Sequence, residues 1–467
     1  MALRNLLRFS LVLVLFLFTS AAWTFADEPA KEGYVPQAPL KKLDLQNGDS
    51  FVFLGDSITH QCLYTQYVED FFYQRMPHLR LKFHNSGVGG ARAWDALARF
   101  DEDVAAYKPK YVSILLGMND GTYQSFDQAT FDAYHRDMTT VIEKIVATGA
   151  TPLLMTPTMY DSRASRMFPR KGRTYSDGLL TQYNAVLTYY GTWLRGVATE
   201  NGYGFVDMWG PLNNLTIAAR KTDPAFTIIK DAIHPDAPGQ AVMAVAMIDD
   251  LGLKAPLSNI RIQVNGKDTP KVTSMGGIIS DPKHTPKGVE FAWLAKGLPW
   301  VLPEEAAVGV NLTKLGHKNS REALEIHGLA PGRYELSIDG TVVGTWSSEQ
   351  LSRHVELQAN DKTPQYQQAL EVAHRNRSRN SGPVRNLRNE WRRFQRYARA
   401  KHAAQTDEAR KEVAEMELGL EGLSERVARH AADAKKLEDR IFAVNQPIPR
   451  MYVLTRVVAE AKKPATN

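Results

Sequence analysis

Two short segments of the chain carry side chains that together could perform nucleophilic catalysis. Residues 55–59 read GDSIT, and Ser57 in this segment follows an apolar run. Residues 231–235 read DAIHP and contain Asp231 and His234. A serine hydroxyl is a weak nucleophile until a base takes its proton, and an imidazole held by a carboxylate is such a base. These residue types therefore predict a Ser57 nucleophile, a His234 base and an orienting Asp231.

Each of the two segments also has an ordinary structural interpretation. A serine after Gly-Asp is typical of a helix N-cap, and an Asp-x-x-His pair is typical of a surface turn. A metal site is disfavoured, because no second histidine or carboxylate cluster at ligand spacing accompanies His234. The catalytic interpretation therefore depends on further groups elsewhere in the chain.

Two further segments could stabilise the negative charge that develops on a carbonyl oxygen under nucleophilic attack. Residues 85–90 read NSGVGG, and Gly90 can expose its backbone N–H because it has no side chain. Asn119, in the segment GMND, can donate from its side-chain amide. With the N–H of Ser57 they would form a three-donor oxyanion site. Taken separately, the glycines could only shape a turn, and Asn119 could only cap a helix.

The four segments lie where predicted strands of an α/β fold end. Between residues 50 and 254, short apolar runs alternate with stretches of helical periodicity, a pattern typical of parallel strands joined by crossover helices. The predicted fold class is α/β with a doubly wound, mainly parallel sheet, in which ligands bind at the carboxyl ends of the strands. The predicted strands are 51–54, 79–84, 111–116, 151–156 and 204–208. The predicted helices are 61–75, 93–107, 127–148, 176–200 and 238–251.

In this order and at these strand ends, the four segments resemble the SGNH or GDSL-type hydrolases. The resemblance covers residues 51–252 and implies a flavodoxin-like fold and a serine esterase activity. Ile58 stands where the family's older name has leucine, as is common in the carbohydrate-active branch of the family. Asp56 and Asp120 are assigned structural hydrogen-bonding roles, because they neighbour the reactive residues on turns and point in other directions.

The resemblance also assigns roles to individual residues. It implies a catalytic triad of Ser57, His234 and Asp231. Gly90 and Asn119 would join the backbone N–H of Ser57 in the oxyanion hole, since the family's glycine follows the leading asparagine of its block by five residues. No organic cofactor and no metal is needed for this chemistry.

The expected substrate is an ester, with an O-acetyl group on a carbohydrate favoured over other esters. The family also includes lipases, lysophospholipases and thioesterases, which remain alternatives on the same fold. A non-catalytic protein that binds a glycan or the cell envelope is the alternative from another class. The binding protein is the less favoured alternative, because it would not need Ser57, Gly90, Asn119, Asp231 and His234 together.

The first residues predict a secreted or periplasmic protein. Residues 1–26 combine two arginines, an apolar run at 11–18 and a small-residue end, which is typical of a signal peptide. The apolar run is short for a membrane-spanning helix, so no stable membrane anchor is expected. Cys62 is the only cysteine, so neither a disulfide nor a lipidated cysteine after the signal is predicted.

Two further modules are predicted after the catalytic domain of residues 27–254. Residues 255–363 contain short alternating strands and an Asp-Gly hairpin signal, which indicates a small β-rich module. Residues 364–467 predict a long helical hairpin and tail, broken around 381–383. A final strand is expected at residues 451–458.

The C-terminal helical part is strongly basic. Residues 364–467 hold 21 Lys and Arg against 13 Asp and Glu. An envelope or anionic polymer partner would suit this charge, whereas a secreted address argues against nucleic acid. For the arginines at 375–379 and 392–396 a solvated helix face is the favoured interpretation.

Overall fold

The computed structural model describes residue 37 and residues 40–169, 175–266 and 269–457. The signal peptide predicted for residues 1–26 lies outside the described residues. Within the described residues, no helix is both long and apolar enough to cross a membrane.

A five-stranded parallel sheet forms the centre of the N-terminal half. Its strands are β1 (Ser50–Gly55), β2 (Lys82–Gly87), β3 (Tyr111–Leu115), β4 (Thr151–Met155) and β5 (Gly204–Val206). They lie in the order β2-β1-β3-β4-β5, and all neighbours are parallel. Gly55 is in register with both Gly87 and Leu115, so three strands end side by side. The predicted α/β class is confirmed.

Helices cover both faces of this sheet, because alternate side chains of the buried strand β1 point to opposite sides and both sets are apolar. The helices are α1 (Ser57–His60), α2 (Leu63–Arg75), α3 (Ala93–Ala98), α4 (Phe100–Asp103), α5 (Gln128–Ala147), α6 (Ser162–Met167), α7 (Asp177–Thr181), α8 (Tyr183–Asn201), α9 (Trp209–Ala219) and α10 (Ala237–Asp250), with a 3-10 turn at Ala105–Tyr107. Phe51 and Phe53 pack in one apolar cluster with α2 and α10. Val52 and Leu54 pack in another with α3, α5 and α8.

The predicted position of β2 was wrong by three residues. The strand begins at Lys82, within the predicted range 79–84, and continues through the polar residues Asn85 and Ser86. These polar side chains can be buried because hydrogen bonds satisfy them. Ser86 Oγ donates to Asp103 at 2.8 Å, and Asn85 Nδ2 donates to the carbonyl of Thr59 at 2.8 Å. The second half of β2 is therefore stabilised by hydrogen bonds to distant residues and has no apolar pattern that would predict it.

The single helix predicted at 93–107 is also wrong, because it divides into α3, α4 and a 3-10 turn. Arg99 leaves helical geometry at φ −122°, and its guanidinium donates to Ser86 and Asp103, both at 2.6 Å. Helices α1, α6 and α9 were not predicted at all.

Two small sheets form the β-rich module. Their strands are β6 (Ser258–Gln263), β7 (Lys271–Met275), β8 (Gly277–Thr285), β9 (Gly288–Ala295), β10 (Glu322–His327), β11 (Arg333–Ile338), β12 (Thr341–Ser347), β13 (Val355–Glu356) and β14 (Arg450–Arg456). The sheet orders are β13-β10-β6-β7 and β12-β11-β14-β9-β8, and the two sheets share one apolar cluster. Short helices are α11 (Ala307–Thr313), α12 (Leu315–Asn319) and α13 (Ser348–Arg353), with a 3-10 turn at Glu304–Ala306.

The sequence signals in this module are confirmed. Asp339 and Gly340 have φ of +50° and +80° between β11 and β12, as a tight hairpin turn requires. The predicted last strand is β14, which pairs with β9 and β11 in the middle of its sheet. The helical part of the chain is therefore inserted between two strands of the β-rich module.

The helical part consists of α14 (Pro364–Arg379), a π turn (Asn380–Val384), α15 (Arg385–Ala403), α16 (Asp407–Leu418) and α17 (Leu423–Phe442). The predicted break at 381–383 is only a kink, because a wider π turn absorbs Pro383 and the non-helical Gly382. The chain instead reverses after α15. Helix α17 then runs antiparallel to α14 and α15, with Arg426 bonded to Glu390 at 2.8 Å.

Helices α14 and α15 pack on the N-terminal half through buried ion pairs. Arg379 contacts Glu69 at 2.9 Å, and Arg388 contacts Asp103 at 2.6 Å. The prediction of a solvated helix face is therefore wrong for Arg379, because its guanidinium is buried and paired with Glu69. Arg377 and Arg396 are exposed, as predicted.

Candidate active site

Ser57 is the first residue of α1, a single helical turn that follows the interior strand β1. Asp56 caps this helix, since its Oδ1 accepts the Ile58 N–H at 2.8 Å. The turn lies so close to the end of β2 that a Cβ on Gly87 would be 2.4 Å from the backbone nitrogen of His60. Glycine is therefore required at position 87. The N–H of Ser57 has no acceptor among the described residues.

His234 lies beside Ser57, and Asp231 lies on the far side of the imidazole. His234 Nε2 is 2.8 Å from Ser57 Oγ, and His234 Nδ1 is 2.7 Å from Asp231 Oδ2. The other carboxylate oxygen of Asp231 accepts the N–H groups of Ile233 and His234 at 3.0 and 2.7 Å. The structure thus brings the predicted serine, histidine and aspartate into one hydrogen-bonded row.

The electrostatics of Asp231 suit the role of orienting the histidine. Burial by itself raises the pKa of this carboxyl, but the hydrogen bonds from the His234 ring and the backbone hold the pKa below its ordinary range. An ionised Asp231 accepts a proton-bearing Nδ1, which leaves Nε2 of His234 free to accept the Ser57 hydroxyl proton.

Gly90 is held in a left-handed conformation, with φ of +74°. Its N–H has no acceptor within the described part of the chain. Gly90 follows the end of β2 and Ser57 follows the end of the neighbouring strand β1. The two strand ends are joined by a hydrogen bond from the Val88 N–H to the carbonyl of Gly55 at 3.1 Å. Two of the three predicted oxyanion donors are thus unoccupied backbone groups.

Asn119 links the two loops that carry these backbone donors. Its Nδ2 donates to Asp56 Oδ2 at 3.3 Å and to the carbonyl of Ala91 at 3.1 Å. Its Oδ1 accepts the Tyr123 hydroxyl at 2.8 Å, which fixes the orientation of the amide. An oxyanion would therefore have to share or replace the long bond to Asp56.

Asp56 and Asp120 make the structural hydrogen bonds expected of them. Asp120 accepts the N–H groups of Ala93 and Gly117 at 2.8 and 3.0 Å, and so ties α3 to the end of β3. Burial raises the pKa of Asp56 to about 6 and that of Asp120 to about 7. All four carboxylate oxygens of these two residues accept hydrogen bonds from groups other than Ser57 Oγ.

Helix α15 contributes contacts to this site that no sequence pattern placed here. Gln395 Nε2 donates to the carbonyl of Gly89 at 3.1 Å, and Arg399 Nη2 donates to the carbonyl of Gly90 at 2.6 Å. The one signal available in the sequence is helical spacing, since both residues share a face with Arg388.

A cavity of about 690 Å³ opens beside these residues. Its lining combines aromatic, acidic and basic side chains, among them Trp94, Arg92, Asp137, Arg399 and His402. The rings of Trp94 and His402 lie with their centroids 4.7 Å apart. Within the described ranges, no group of three or more His, Cys, Asp or Glu side chains could hold a metal ion.

Residues 53–242 match the model of the GDSL-like lipase/acylhydrolase family, a range that includes the predicted triad and the three predicted oxyanion donors. An acetylxylan esterase from Geobacillus stearothermophilus is 24% identical over 235 residues, which cover 45% of this chain and 98% of that protein. Among solved structures, a gut microbial diltiazem-metabolizing enzyme is similar with a TM-score of 0.76 and 25% identity. That match covers 90% of this chain and 100% of the other.

Proposed function

Since residues 53–242 belong to the GDSL-like lipase/acylhydrolase family and the chain is thus a carboxylic ester hydrolase, we propose that it removes O-acetyl groups from a carbohydrate, with Ser57 as nucleophile. The observation that carries the proposal is the row from Ser57 Oγ through His234 to Asp231, with contacts of 2.8 and 2.7 Å.

In the first half of the reaction, Ser57 is acylated. His234 Nε2 takes the hydroxyl proton as Oγ attacks the ester carbonyl, and Asp231 stabilises the imidazolium that forms. The N–H groups of Ser57 and Gly90 and the amide of Asn119 donate to the resulting oxyanion. The carbon–oxygen bond to the sugar then breaks, and His234 gives its proton to the leaving alcohol.

In the second half, water hydrolyses the acyl-enzyme. His234 removes a proton from water as its oxygen attacks the acetyl carbonyl, and the same donors hold the oxyanion. The bond to Ser57 Oγ breaks, the proton returns to Oγ, and acetate leaves. Acetate and the free sugar hydroxyl are the products.

A carbohydrate substrate is supported by two observations. Almost the whole length of the acetylxylan esterase, 98%, matches 45% of this chain, at 24% identity. The cavity lined by Arg92, Trp94 and Arg399 combines an aromatic face with charged side chains, and such mixtures suit sugar rings. A secreted or periplasmic address, proposed from residues 1–26, would bring the protein to polymeric glycans.

The test of the catalytic assignment compares two serines in equivalent positions. Ser57→Ala is expected to abolish turnover of p-nitrophenyl acetate. Ser162→Ala is the matched control, because Ser162 also begins a helix directly after a capping aspartate, Asp161. Ser57→Ala with activity near that of Ser162→Ala would exclude Ser57 as the nucleophile.

The substrate class is tested by acetate release from a panel of acetylated glycans and from diltiazem, which carries an acetate ester. Acetate release from glycans with little turnover of p-nitrophenyl octanoate is the expected result. A preference for octanoate over acetate would instead favour a lipase or thioesterase. Glycan binding without any ester turnover in the parent would favour a binding protein.

A further inference from the structure

The loop that presents Gly90 makes hydrogen bonds to two elements, α1 and α15. We refer to residues 87–92 as the glycine loop. Gly89 N–H donates to His60 Nδ1 at 3.2 Å. The carbonyl of Gly89 accepts Gln395 Nε2 at 3.1 Å, and the carbonyl of Gly90 accepts Arg399 Nη2 at 2.6 Å. Both carbonyl bonds come from α15, more than 300 positions later in the chain.

The bond from Gln395 fixes the direction of the Gly90 N–H. The carbonyl of Gly89 and the N–H of Gly90 belong to one peptide group, and in a trans peptide they point in opposite directions. Since the carbonyl points at α15, the N–H points away from it, and it has no acceptor among the described residues. A rotated peptide would instead replace this donor with a carbonyl oxygen.

The space beside the α-carbons of both glycines is open. A Cβ on Gly90 would meet nothing within 4 Å, and the nearest atom to a Cβ on Gly89 lies 3.8 Å away. Two consecutive glycines also tolerate either sign of φ. Hydrogen bonds therefore select the peptide orientation here.

We propose that Gln395, assisted by Arg399, is a positioning residue that holds the Gly89–Gly90 peptide with its N–H toward the oxyanion. The inference rests on the proposed function, because it assigns Gly90 to the oxyanion hole. It makes α15, which lies outside the matched range of residues 53–242, part of the catalytic apparatus.

The groups that make these bonds are buried or have a second partner. Gln395 is only 4% exposed. Arg399 also binds Asp95 through two bonds of 2.7 and 2.6 Å, and that carboxylate is 1% exposed. Burial together with nearby arginines lowers the pKa of His60 to about 4, so its Nδ1 stays free to accept the Gly89 N–H at neutral pH.

The experiment measures transition-state binding separately from folding. Gln395→Ala removes the donor, and Gln395→Glu places a carboxylate opposite the carbonyl of Gly89. Arg396→Ala is the matched control, because Arg396 is exposed on the same helix. For each full-length variant we would measure kcat and KM on p-nitrophenyl acetate, the thermal midpoint, and the affinity for ethylboronic acid, which forms a tetrahedral adduct with an active serine.

Removing one oxyanion donor typically costs about 10²–10³ in kcat. Because the peptide in Gln395→Ala can still reach the productive orientation part of the time, we expect kcat to fall about 10- to 100-fold, with KM changed less than about threefold. Boronate affinity should fall by a similar factor, and Gln395→Glu should lose more than Gln395→Ala. Arg396→Ala should match the parent in all four measurements.

Equal kcat and equal boronate affinity in Gln395→Ala and Arg396→Ala would overturn the inference, whatever the thermal midpoints. So would a fall in thermal midpoint with kcat and boronate affinity unchanged, because the role would then be structural only. A parent that binds boronate in a Gln395-dependent way but hydrolyses no ester would refute the proposed function and still support the positioning role.

Discussion

The buried ion pair between Arg388 and Asp103 tests whether the C-terminal helices are integral to the catalytic half. Both side chains are 0% exposed, and two hydrogen bonds of 2.8 and 2.6 Å join them. Asp103 also accepts bonds from Arg99 and Ser86 at 2.6 and 2.8 Å. Arg388→Met keeps the length of the side chain but removes one of the two buried cations.

The size of the effect follows from the burial of the pair. Removing one partner of a buried ion pair costs about 3–5 kcal/mol, because the remaining charge stays desolvated. The unit that unfolds, Gln37–Asn467, has about 430 residues, so its unfolding entropy is about 0.9 kcal/mol/K. Arg388→Met should therefore lower Tm by about 3–5 °C.

The loss should depend on pH in a defined direction. Burial alone raises the pKa of Asp103, but Arg388, His84 and Arg99 hold it well below the ordinary range. A folded-state pKa that is lowered gives stability that is present above the unfolded pKa of about 3.9 and is lost as the pH falls below it. The difference between Arg388→Met and the parent should thus be full at pH 7 and shrink below about pH 4.

Differential scanning calorimetry of the full chain at pH 7.5 and at decreasing pH measures this effect. Arg396→Met is the matched control, because Arg396 lies exposed on the same helix and its side chain makes no ion pair within the described residues. A Tm for Arg388→Met within about 1 °C of the control at pH 7.5 would refute the reasoning. It would mean that breaking the buried ion pair costs much less free energy of unfolding than expected.

Three further predictions concern the site and its surroundings. Asp231→Asn should lower kcat by about 10³–10⁴-fold at unchanged KM, because the amide no longer holds the His234 tautomer. Steady-state kinetics from pH 5 to 9 measure this effect, and a loss of kcat under tenfold would contradict the prediction. Gly87→Ala should prevent folding or lower Tm sharply, whereas Gly90→Ala, with open space but positive φ, should cost only about 1–2 kcal/mol; expression and calorimetry distinguish them. Burial raises the pKa of Cys62 to about 12, so dithionitrobenzoate at pH 8 should label it only in urea, and rapid labelling of the native protein would contradict its burial.

The sequence by itself determined four of the five strands of the parallel sheet and the reactive segments at their ends. Apolar runs predicted strands β1, β3, β4 and β5 within one or two residues, because a strand buried on both faces is continuously apolar. The same local logic located the Asp339-Gly340 hairpin turn. The segments that carry Ser57 and His234 could be paired only through chemistry and family resemblance, because 177 positions separate them.

Only the tertiary structure decided where the polar and charged side chains of the helical part lie. A composition rich in arginine predicts a solvated face, yet Arg379 and Arg388 are buried against carboxylates more than 280 positions away. The same holds for Gln395, whose partner is a backbone carbonyl. Periodicity encodes which face of a helix is apolar, whereas a buried polar contact depends on a partner that only the packing of distant elements supplies.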